Sequence, residues 1–304
     1  MFKYGGNSKS IFFAILAAST YAISSPISKL LLVHVQPTMM ASLLYLGAGM
    51  GLSIVWLIER VISKENIEKN LTQNDLPYII AMVVLDISAP IFLMVGLSRT
   101  TAANVSLLNN FEIVATSIIA MFIFKEIISK RLWLSISLMT VASMLLVAEE
   151  KDSFSFSWGS MFVIFACICW GFENNCTRKL SFKNPLQVVI IKGIGSGTGA
   201  LIIALILKET NVDLIHVLET LLLGFVAYGL SIYFYVYAQR ELGAAKTSMY
   251  YAVAPFIGVI LSLIIFREIP TKLFIIALTI MIAGTYFAST DTKEVEAGGK
   301  NDFD

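Results

Sequence analysis

Hydrophobic residues fall into ten long apolar segments that are separated by short polar connections. Each segment is close to the roughly 20 residues that an α-helix needs to cross a bilayer. The pattern therefore predicts an all-α membrane protein with ten transmembrane helices. In chain order, segments 1 to 10 cover about residues 10–31, 39–58, 76–97, 103–124, 132–148, 158–177, 186–207, 217–238, 247–266 and 273–289.

The composition agrees with this pattern and excludes a soluble domain. The 304 residues are 57% hydrophobic and 14% charged, with a mean hydropathy of +0.79, whereas soluble domains carry about a quarter charged residues. Only the connection at 59–75 is long enough for a small surface element, so there is no room for a soluble catalytic or nucleotide-binding domain. Segment 1 is too long for the apolar region of a cleavable signal peptide and is expected to stay in the membrane.

An internal duplication divides the chain into two units. The residues Ala-Ala-Asn-Val-Ser at 102–106 return as Ala-Ala-Lys-Thr-Ser at 244–248. Similarity at a fixed spacing indicates a repeat architecture. We expect a first repeat at 1–150 with segments 1 to 5, a second at 151–290 with segments 6 to 10, and a disordered cytoplasmic tail at 291–304.

The basic residues predict the orientation of the chain. Assigning successive connections to alternate sides places fifteen lysines and arginines on one face and five on the other. The richer face is cytoplasmic by the positive-inside rule, so both termini are inside. Because each repeat has five segments, an odd number, the second repeat enters from the opposite side and the repeats are inverted. Inverted repeats typically hold a substrate site near the midplane and expose it alternately to the two sides.

Several local patterns accompany the duplication. Segments 4 and 9 begin with Ala-Ala-x-x-Ser and end at a Lys-Glu or Arg-Glu pair, and Trp170 and Gly171 lie in segment 6. With the five-plus-five arrangement, these patterns resemble the ten-helix EamA-type members of the drug/metabolite transporter superfamily over roughly residues 8–290. The resemblance implies export or import of amino acids, choline-like cations, nucleotide-linked metabolites or toxic compounds.

The sequence departs from that family pattern in two places. Segment 9 keeps the helix-breaking Pro255, but the matching position in segment 4 is Ile113, preceded by Glu112. Segment 1 carries Tyr21 and Ala22 where many relatives have Trp-Gly. We therefore expect a central cavity that is acidic on the side of segment 4.

Two carboxylates lie in the middle of apolar segments, Glu112 in segment 4 and Asp86 in segment 3. An ionised carboxylate at a helix centre costs about 2.5–3.5 kcal/mol on insertion scales, so both should face protein or water. Asn109, Glu112 and Thr116 would share one helical face. Glu112 is expected to be a substrate counter-charge or a proton carrier, or else a neutral hydrogen-bonded acid. Asp86 could instead satisfy backbone groups freed by Pro90.

Glu173 and Lys192 form a second candidate site. Segment 6 leaves the membrane and segment 7 enters it on the same side, which places both residues at a similar depth, within reach of each other. They could form a structural ion pair, a cytoplasmic gate or a substrate-binding element. Trp170 and Asn174 lie beside Glu173 and join the candidate site. Lys29, near the outer end of segment 1, is expected to snorkel.

Aromatic residues supply a third group of candidates. Tyr228 and Tyr235 are seven residues apart in segment 8 and share a face, and Tyr251 lies near the start of segment 9. Such rings could contact an organic cation through cation–π interactions. Ordinary packing is the alternative for each of them.

Glycines recur at alternate positions in the two halves. The six positions are Gly47, Gly49 and Gly51 in segment 2 and Gly195, Gly197 and Gly199 in segment 7. Small residues let helices approach closely. These glycines lie inside apolar helices without a preceding strand or a Gly-Lys-Ser/Thr sequence, so a phosphate-binding loop is not indicated.

Cysteine and histidine give no indication of a metal site or a disulfide. All three cysteines, Cys167, Cys169 and Cys176, lie in segment 6, and even the last two are about 10 Å apart along a helix. The two histidines, His34 and His216, lie at segment ends without partners at ligand spacing. We predict no metal and no catalytic residues.

The sequence thus favours a secondary active transporter of a small metabolite, such as an amino acid or organic cation, with export as the favoured direction. A facilitative permease or multidrug exporter is the alternative, and an intramembrane enzyme or scaffold is less favoured. No cofactor is expected, and coupling to protons remains open. We expect the bilayer and a small-molecule substrate as partners, no nucleic acid, a monomer or homodimer, and a location in the cell membrane.

Overall fold

The structure is a computed structural model, and it describes residues 4–62, 71–125, 128–150, 153–154, 157–180, 183–242, 247 and 250–298. The helices of the first half are α1 (Tyr4–Ala22), α2 (Ser24–Leu31), α3 (Pro37–Ile62), α4 (Leu76–Arg99), α5 (Ala102–Leu108), α6 (Phe111–Phe124) and α7 (Lys130–Val147). A short 3₁₀ turn, Gln73–Asp75, precedes α4.

The second half is also helical and follows a short strand pair, β1 (Glu149–Glu150) and β2 (Ser153–Phe154). Its helices are α8 (Trp158–Leu180), α9 (Pro185–Ile206), α10 (Leu214–Leu223), a π-helical turn (Gly224–Leu230), α11 (Ser231–Leu242), α12 (Ala254–Phe266) and α13 (Lys272–Gly298). The helix α13 continues to Gly298 and thus includes residues 291–298, where the sequence analysis predicts a disordered tail; residues 299–304 of that tail lie outside the described residues. Helix-forming residues, including Lys293 and Glu294, extend the helix to the first glycine pair.

All ten predicted segments coincide with helices, which confirms an all-α membrane protein. Among the described residues, eight spans are long and apolar enough to cross a membrane, and α12 is a shorter apolar helix. The remaining predicted segment is α8, a helix of 23 residues whose last turns carry charged side chains. Segment 9 is short in helical length because the chain makes a turn before Ala254.

Segments 1, 4 and 9 are interrupted near their middles. α1 and α2 are separated at Ile23, α5 and α6 by a turn at Asn109 and Asn110, and α12 follows a turn at 252–253. The turn before α12 fits Pro255, which cannot donate to a preceding helical turn. Segment 4 is interrupted at the matching place without a proline.

The helix contacts follow a pattern that stays the same when the two halves of the chain are exchanged. Segments 2 and 7 pack together through α3 and α9, segments 5 and 10 through α7 and α13, and segments 4 and 9 through α5 and α12. Segment 3 packs on segment 6 as segment 8 packs on segment 1. Each contact therefore maps onto itself or onto another contact when the halves are exchanged. Lys125 and Arg267, at equivalent positions of the repeats, both end a helix with a positive φ, 58° and 52°.

Glycines create the closest approach between segments 2 and 7. A Cβ on Gly49 would lie 2.7 Å from the backbone nitrogen of Ile194, and a Cβ on Gly197 would lie 2.7 Å from that of Leu46. A Cβ on Gly193 would lie 2.6 Å from the Cα of Gly49. The expected role of the glycines in close helix packing is confirmed, and the contact lies where the two halves meet.

We expect Gly49→Ala to lower the free energy of unfolding by about 1–3 kcal/mol, because its methyl group would collide with backbone that has little room to move. Gly195→Ala is the matched control, since its Cβ would meet side-chain atoms and no backbone, with the two methyl groups of Val83 at 3.1 Å and 3.2 Å. Thermal unfolding in detergent measures both. Equal losses in the two variants would contradict the close contact at Gly49.

Polar contacts join segments at the end of the molecule where Lys29 and Thr100 line a cavity of about 490 Å³. The ammonium of Lys29 donates hydrogen bonds to the backbone oxygens of Leu97 and Thr100, at the carboxyl end of α4, the second at 2.7 Å. The carboxylate of Glu209, after α9, accepts from the backbone nitrogen of Met39 at 2.9 Å at the start of α3. The sequence predicts that the Lys29 side chain snorkels to the membrane surface. In the structure it instead joins segment 1 to segment 3.

Candidate functional site

A cavity of about 370 Å³ lies between the two halves. The first half contributes Tyr21, Tyr45, Ala48 and Glu112. The second half contributes Trp170, Glu173, Asn174, Thr177, Leu180, Val188, Val189, Lys192, Gly193, Tyr228, Ile232, Tyr235 and Tyr251. The lining extends along α8 from Trp170 to Leu180, about 15 Å at helical rise. The cavity thus reaches from the interior towards the connection between α8 and α9.

Glu112 follows the interruption of segment 4 and lies in the first turn of α6. The backbone N–H groups of Glu112 and Ile113 donate to the backbone oxygens of Asn109 and Asn110, at 3.1 Å each. The amide nitrogen of Asn174 donates to Glu112 Oε1 at 2.6 Å and also reaches Thr116 Oγ1 at 3.3 Å. Glu112 therefore faces the cavity with a neutral amide as its hydrogen-bond donor.

A buried charge cluster lies beside this carboxylate. Lys192 Nζ is 3.0 Å from Asp86 Oδ2 and 3.1 Å from Glu173 Oε1. Glu173 and Lys192 meet as their depth in the membrane led us to expect, and Asp86 joins them from α4. Asp86 is fully buried and Glu173 is 1% exposed. One ammonium therefore bridges two carboxylates that come from different halves of the chain.

Hydroxyl and indole groups support both carboxylates of the cluster. The Tyr45 hydroxyl donates to Asp86 Oδ1 at 3.1 Å, and Trp170 Nε1 donates to that hydroxyl at 3.4 Å. The Thr177 hydroxyl donates to Glu173 Oε1. Because Trp170 and Tyr45 also line the cavity, this chain of hydrogen bonds connects the cavity wall to buried Asp86.

Five tyrosines that line the cavity form a continuous aromatic wall. Tyr45 and Tyr228 have ring centroids 5.6 Å apart, and Tyr21 lies 5.9 Å from both Tyr228 and Tyr251. Tyr235 meets Tyr251 at 5.1 Å with its edge towards the other ring. These distances are within the usual range for favourable ring contacts. Tyr228 lies in the π-helical turn, a feature that often occurs at functional sites.

The structure brings most of the candidate residues together. Eight of them line one cavity: Glu112, Trp170, Glu173, Asn174, Lys192, Tyr228, Tyr235 and Tyr251. Asp86 lies behind the wall and reaches the cavity only through Lys192 and Tyr45. Asn109 is buried outside the lining, and its amide oxygen has no hydrogen-bond partner within the described part of the chain. The turn at Asn109 and Asn110 separates it from Glu112, so the polar face predicted for one continuous helix is divided.

Sequence analysis missed Tyr45 and did not assign Tyr21 or Thr177 to the site. Tyr45 lies in segment 2 among small and apolar residues and carries no local signal. Tyr21 replaces the tryptophan of many relatives, and that departure was the one available indication. The hydroxyl of Thr177 lies one helical turn after Glu173, so its contact with that carboxylate follows from spacing once α8 is continuous.

A polar cavity between two equivalent halves of a helical membrane protein is typical of transport proteins. The chain is 26% identical to an uncharacterized transporter of Methanothermobacter thermautotrophicus, over 84% of this chain and 78% of the relative. It is 23% identical to the uncharacterized transporter YyaM of Bacillus subtilis, over 79% and 81% of the two chains. A solved crystal structure that is 17% identical covers 95% of this chain and 98% of its own, with a TM-score of 0.64, and shows the same fold.

The model of the EamA-like transporter family matches residues 8–148 and 157–290. The chain belongs to the EamA-like transporter family, as its sequence patterns led us to expect. It is therefore a multi-pass membrane protein of the drug/metabolite transporter type.

Proposed function

We propose that this protein is a secondary transporter that moves a small amine-bearing metabolite, an amino acid or an organic cation, by alternating access. The observation that carries the proposal is the charge of the cavity. Glu112 faces the cavity with only neutral hydrogen-bond partners among the described residues, whereas the nearby ammonium of Lys192 is already shared by Asp86 and Glu173.

A cation is the ligand that this arrangement fits. Three carboxylates and one ammonium leave the site with excess negative charge when all are ionised. A buried charge without a partner is costly, so a ligand with a positive group would be stabilised there. The aromatic wall of the same cavity offers ring faces, and a cation over a tyrosine ring gains about 0.5–2 kcal/mol.

The open end of the cavity indicates which side of the membrane this form faces. The cavity extends towards the connection between α8 and α9, while hydrogen bonds of Glu209 to Thr38 and Met39 join the two halves at the opposite end. The excess of basic residues assigns the side of the α8–α9 connection, and both termini, to the cytoplasm. This form would take up its substrate from the cytoplasm, and export is the direction that we propose.

If the two halves exchanged their conformations, the cavity would open to the opposite side of the membrane. The packing of segments 2 and 7 at Gly49 and Gly193 joins the two halves, and small residues there let the helices approach closely. Opening the far end requires the hydrogen bonds of Glu209 to Thr38 and Met39 to break, because these bonds join the two halves. The transport cycle thus needs rigid movement of one half against the other.

Flux into sealed proteoliposomes tests the proposal. The purified chain should exchange radiolabelled L-lysine, L-arginine or choline, and a matched neutral or anionic compound of similar size should not move. Dependence on an imposed pH gradient would separate secondary active transport from a facilitative permease. Vesicles that move the neutral or anionic compounds instead would contradict the amine assignment. Vesicles that are inert to amines and to a broad metabolite mixture would contradict transport.

A further inference from the structure

We propose that Asp86, Glu173 and Lys192 together form a proton-binding site that is separate from the cation site at Glu112. Its use in coupling transport to a proton gradient rests on the proposed function. The existence of the site does not, because it can be measured in a protein that transports nothing. The argument uses the contacts of the two carboxylates, the charge count of the cluster and the different surroundings of Glu112.

The contacts define the cluster as one unit. Lys192 Nζ lies 3.0 Å from Asp86 Oδ2 and 3.1 Å from Glu173 Oε1, so one ammonium contacts both carboxylates at hydrogen-bonding distance. Each carboxylate also accepts one hydroxyl hydrogen bond, from Tyr45 or from Thr177. The two carboxylates are therefore coupled through one ammonium, and a proton on the cluster belongs to the pair of acids.

The charge count predicts one bound proton. With both carboxylates ionised and Lys192 charged, the cluster has a net charge of −1 in a site where Asp86 is fully buried and Glu173 is 1% exposed. An uncompensated buried charge is strongly disfavoured, and two carboxylates at one site do not both ionise easily. One added proton makes the cluster neutral and leaves Lys192 paired with the remaining carboxylate.

Other groups near the cluster do not replace that proton. The neighbouring titratable groups, by element, are Tyr45 on α3, Glu112 on α6, Cys169 and Cys176 on α8, and Tyr228 in the π-helical turn. Lys192 is the one cation among them in the described part of the chain. The tyrosines and cysteines carry no positive charge, and Glu112, when ionised, adds negative charge that increases the demand for a proton.

Glu112 has different surroundings from the cluster. It accepts a hydrogen bond from the neutral amide of Asn174 at 2.6 Å. It shares no ammonium and no second carboxylate within hydrogen-bonding distance among the described residues. Glu112 therefore offers a cation a carboxyl group that has no ionic partner in the described part of the chain, while the cluster offers a site that gains and loses one proton.

The position of Glu173 links the two sites. Glu173 lines the cavity, whereas Asp86 does not, so the proton exchanges with cavity water through Glu173. Glu173 precedes Asn174, the donor to Glu112, in the same turn of α8. A cation bound at Glu112 adds positive charge beside the cluster and favours release of its proton. Competition of this kind between a cation and a proton is what exchange of the two across a membrane requires.

Infrared difference spectroscopy of the full chain in lipid measures the bound proton without a substrate. Spectra recorded between about pH 5 and pH 9 report the C=O stretch of a protonated carboxyl group. In Glu112→Gln protein we expect one buried carboxyl group to titrate. Adding Asp86→Asn or Glu173→Gln should remove that signal, because the remaining acid then forms a neutral pair with Lys192. Adding Glu219→Gln, a change at an exposed acid, should leave it unchanged.

The outcomes separate the proposal from its alternatives. A signal that disappears with Glu112→Gln alone would place the proton on Glu112 and overturn the proposal. A signal that survives in the variants lacking Asp86 or Glu173 would place it elsewhere and overturn it too. If one of these variants does not fold, the other gives the same test, and Lys192→Met should increase proton uptake because both acids then lose their ammonium. Absence of flux with this signal present would remove the transport function but not the proton site.

Discussion

Lys192→Met is expected to lower the free energy of unfolding by about 3–5 kcal/mol, the cost of breaking a buried ion pair by removing one partner. The substitution would leave Asp86 and Glu173 facing each other in the interior without the ammonium that lies 3.0 Å and 3.1 Å from them. Denaturation of the purified protein in detergent or bicelles measures the loss. Lys272→Met, at an exposed lysine, is the control and should change stability by less than about 0.5 kcal/mol.

Removing the acids together with the lysine should recover much of that loss. In a cycle of Glu173→Gln, Lys192→Met and the double variant, the double change should cost less than the two single changes added together. Asp86→Asn in the same background should recover more, because it removes the second buried charge. Additive losses would mean that Lys192 contributes through its packing rather than through its charge.

Glu112→Gln should lower the rate of amine transport by about 100-fold, corresponding to roughly 3 kcal/mol of lost charge pairing at the site. Glutamine has the same shape and can still accept a hydrogen bond from Asn174, so expression and unfolding temperature should change little. Initial rates in proteoliposomes, compared with those of Glu219→Gln, measure the effect. A variant with undiminished amine flux would assign Glu112 to structure.

Much of the fold can be predicted from the sequence, because it depends on hydropathy averaged over long segments and on the internal repeat. Hydropathy over about 20 residues predicts the segments, and repetition predicts two equivalent halves. The interruption of segment 4 was not predicted, because Ile113 replaces the expected proline. The structure shows another cause: the Asn110 amide donates to the backbone oxygen of Leu107 at 3.1 Å. An asparagine side chain of this kind competes with the helical hydrogen bonds of the backbone.

The sequence predicted which charged residues belong to the site, but it predicted less well which of them contact each other. Intramembrane acids and the depth of Lys192 pointed to the right elements, since unpaired charges there need partners. The sequence did not reveal that Asp86 shares Lys192 with Glu173, because the pairing depends on how α4 packs against α8 and α9. Tyr45 was missed for the same reason. Contacts between side chains of the two halves depend on how each helix is rotated about its axis. The spacing of residues along the sequence does not determine that rotation.

Side-specific labelling of a cavity residue tests alternating access most directly. Ala48, which lines the cavity near the middle of α3, would be replaced by cysteine in a chain whose three native cysteines, Cys167, Cys169 and Cys176, are alanines. A membrane-impermeant maleimide should label Ala48→Cys from either face of sealed proteoliposomes, and a transported amine should slow both reactions. Labelling from one face only, with or without amine, would contradict alternating access through this cavity.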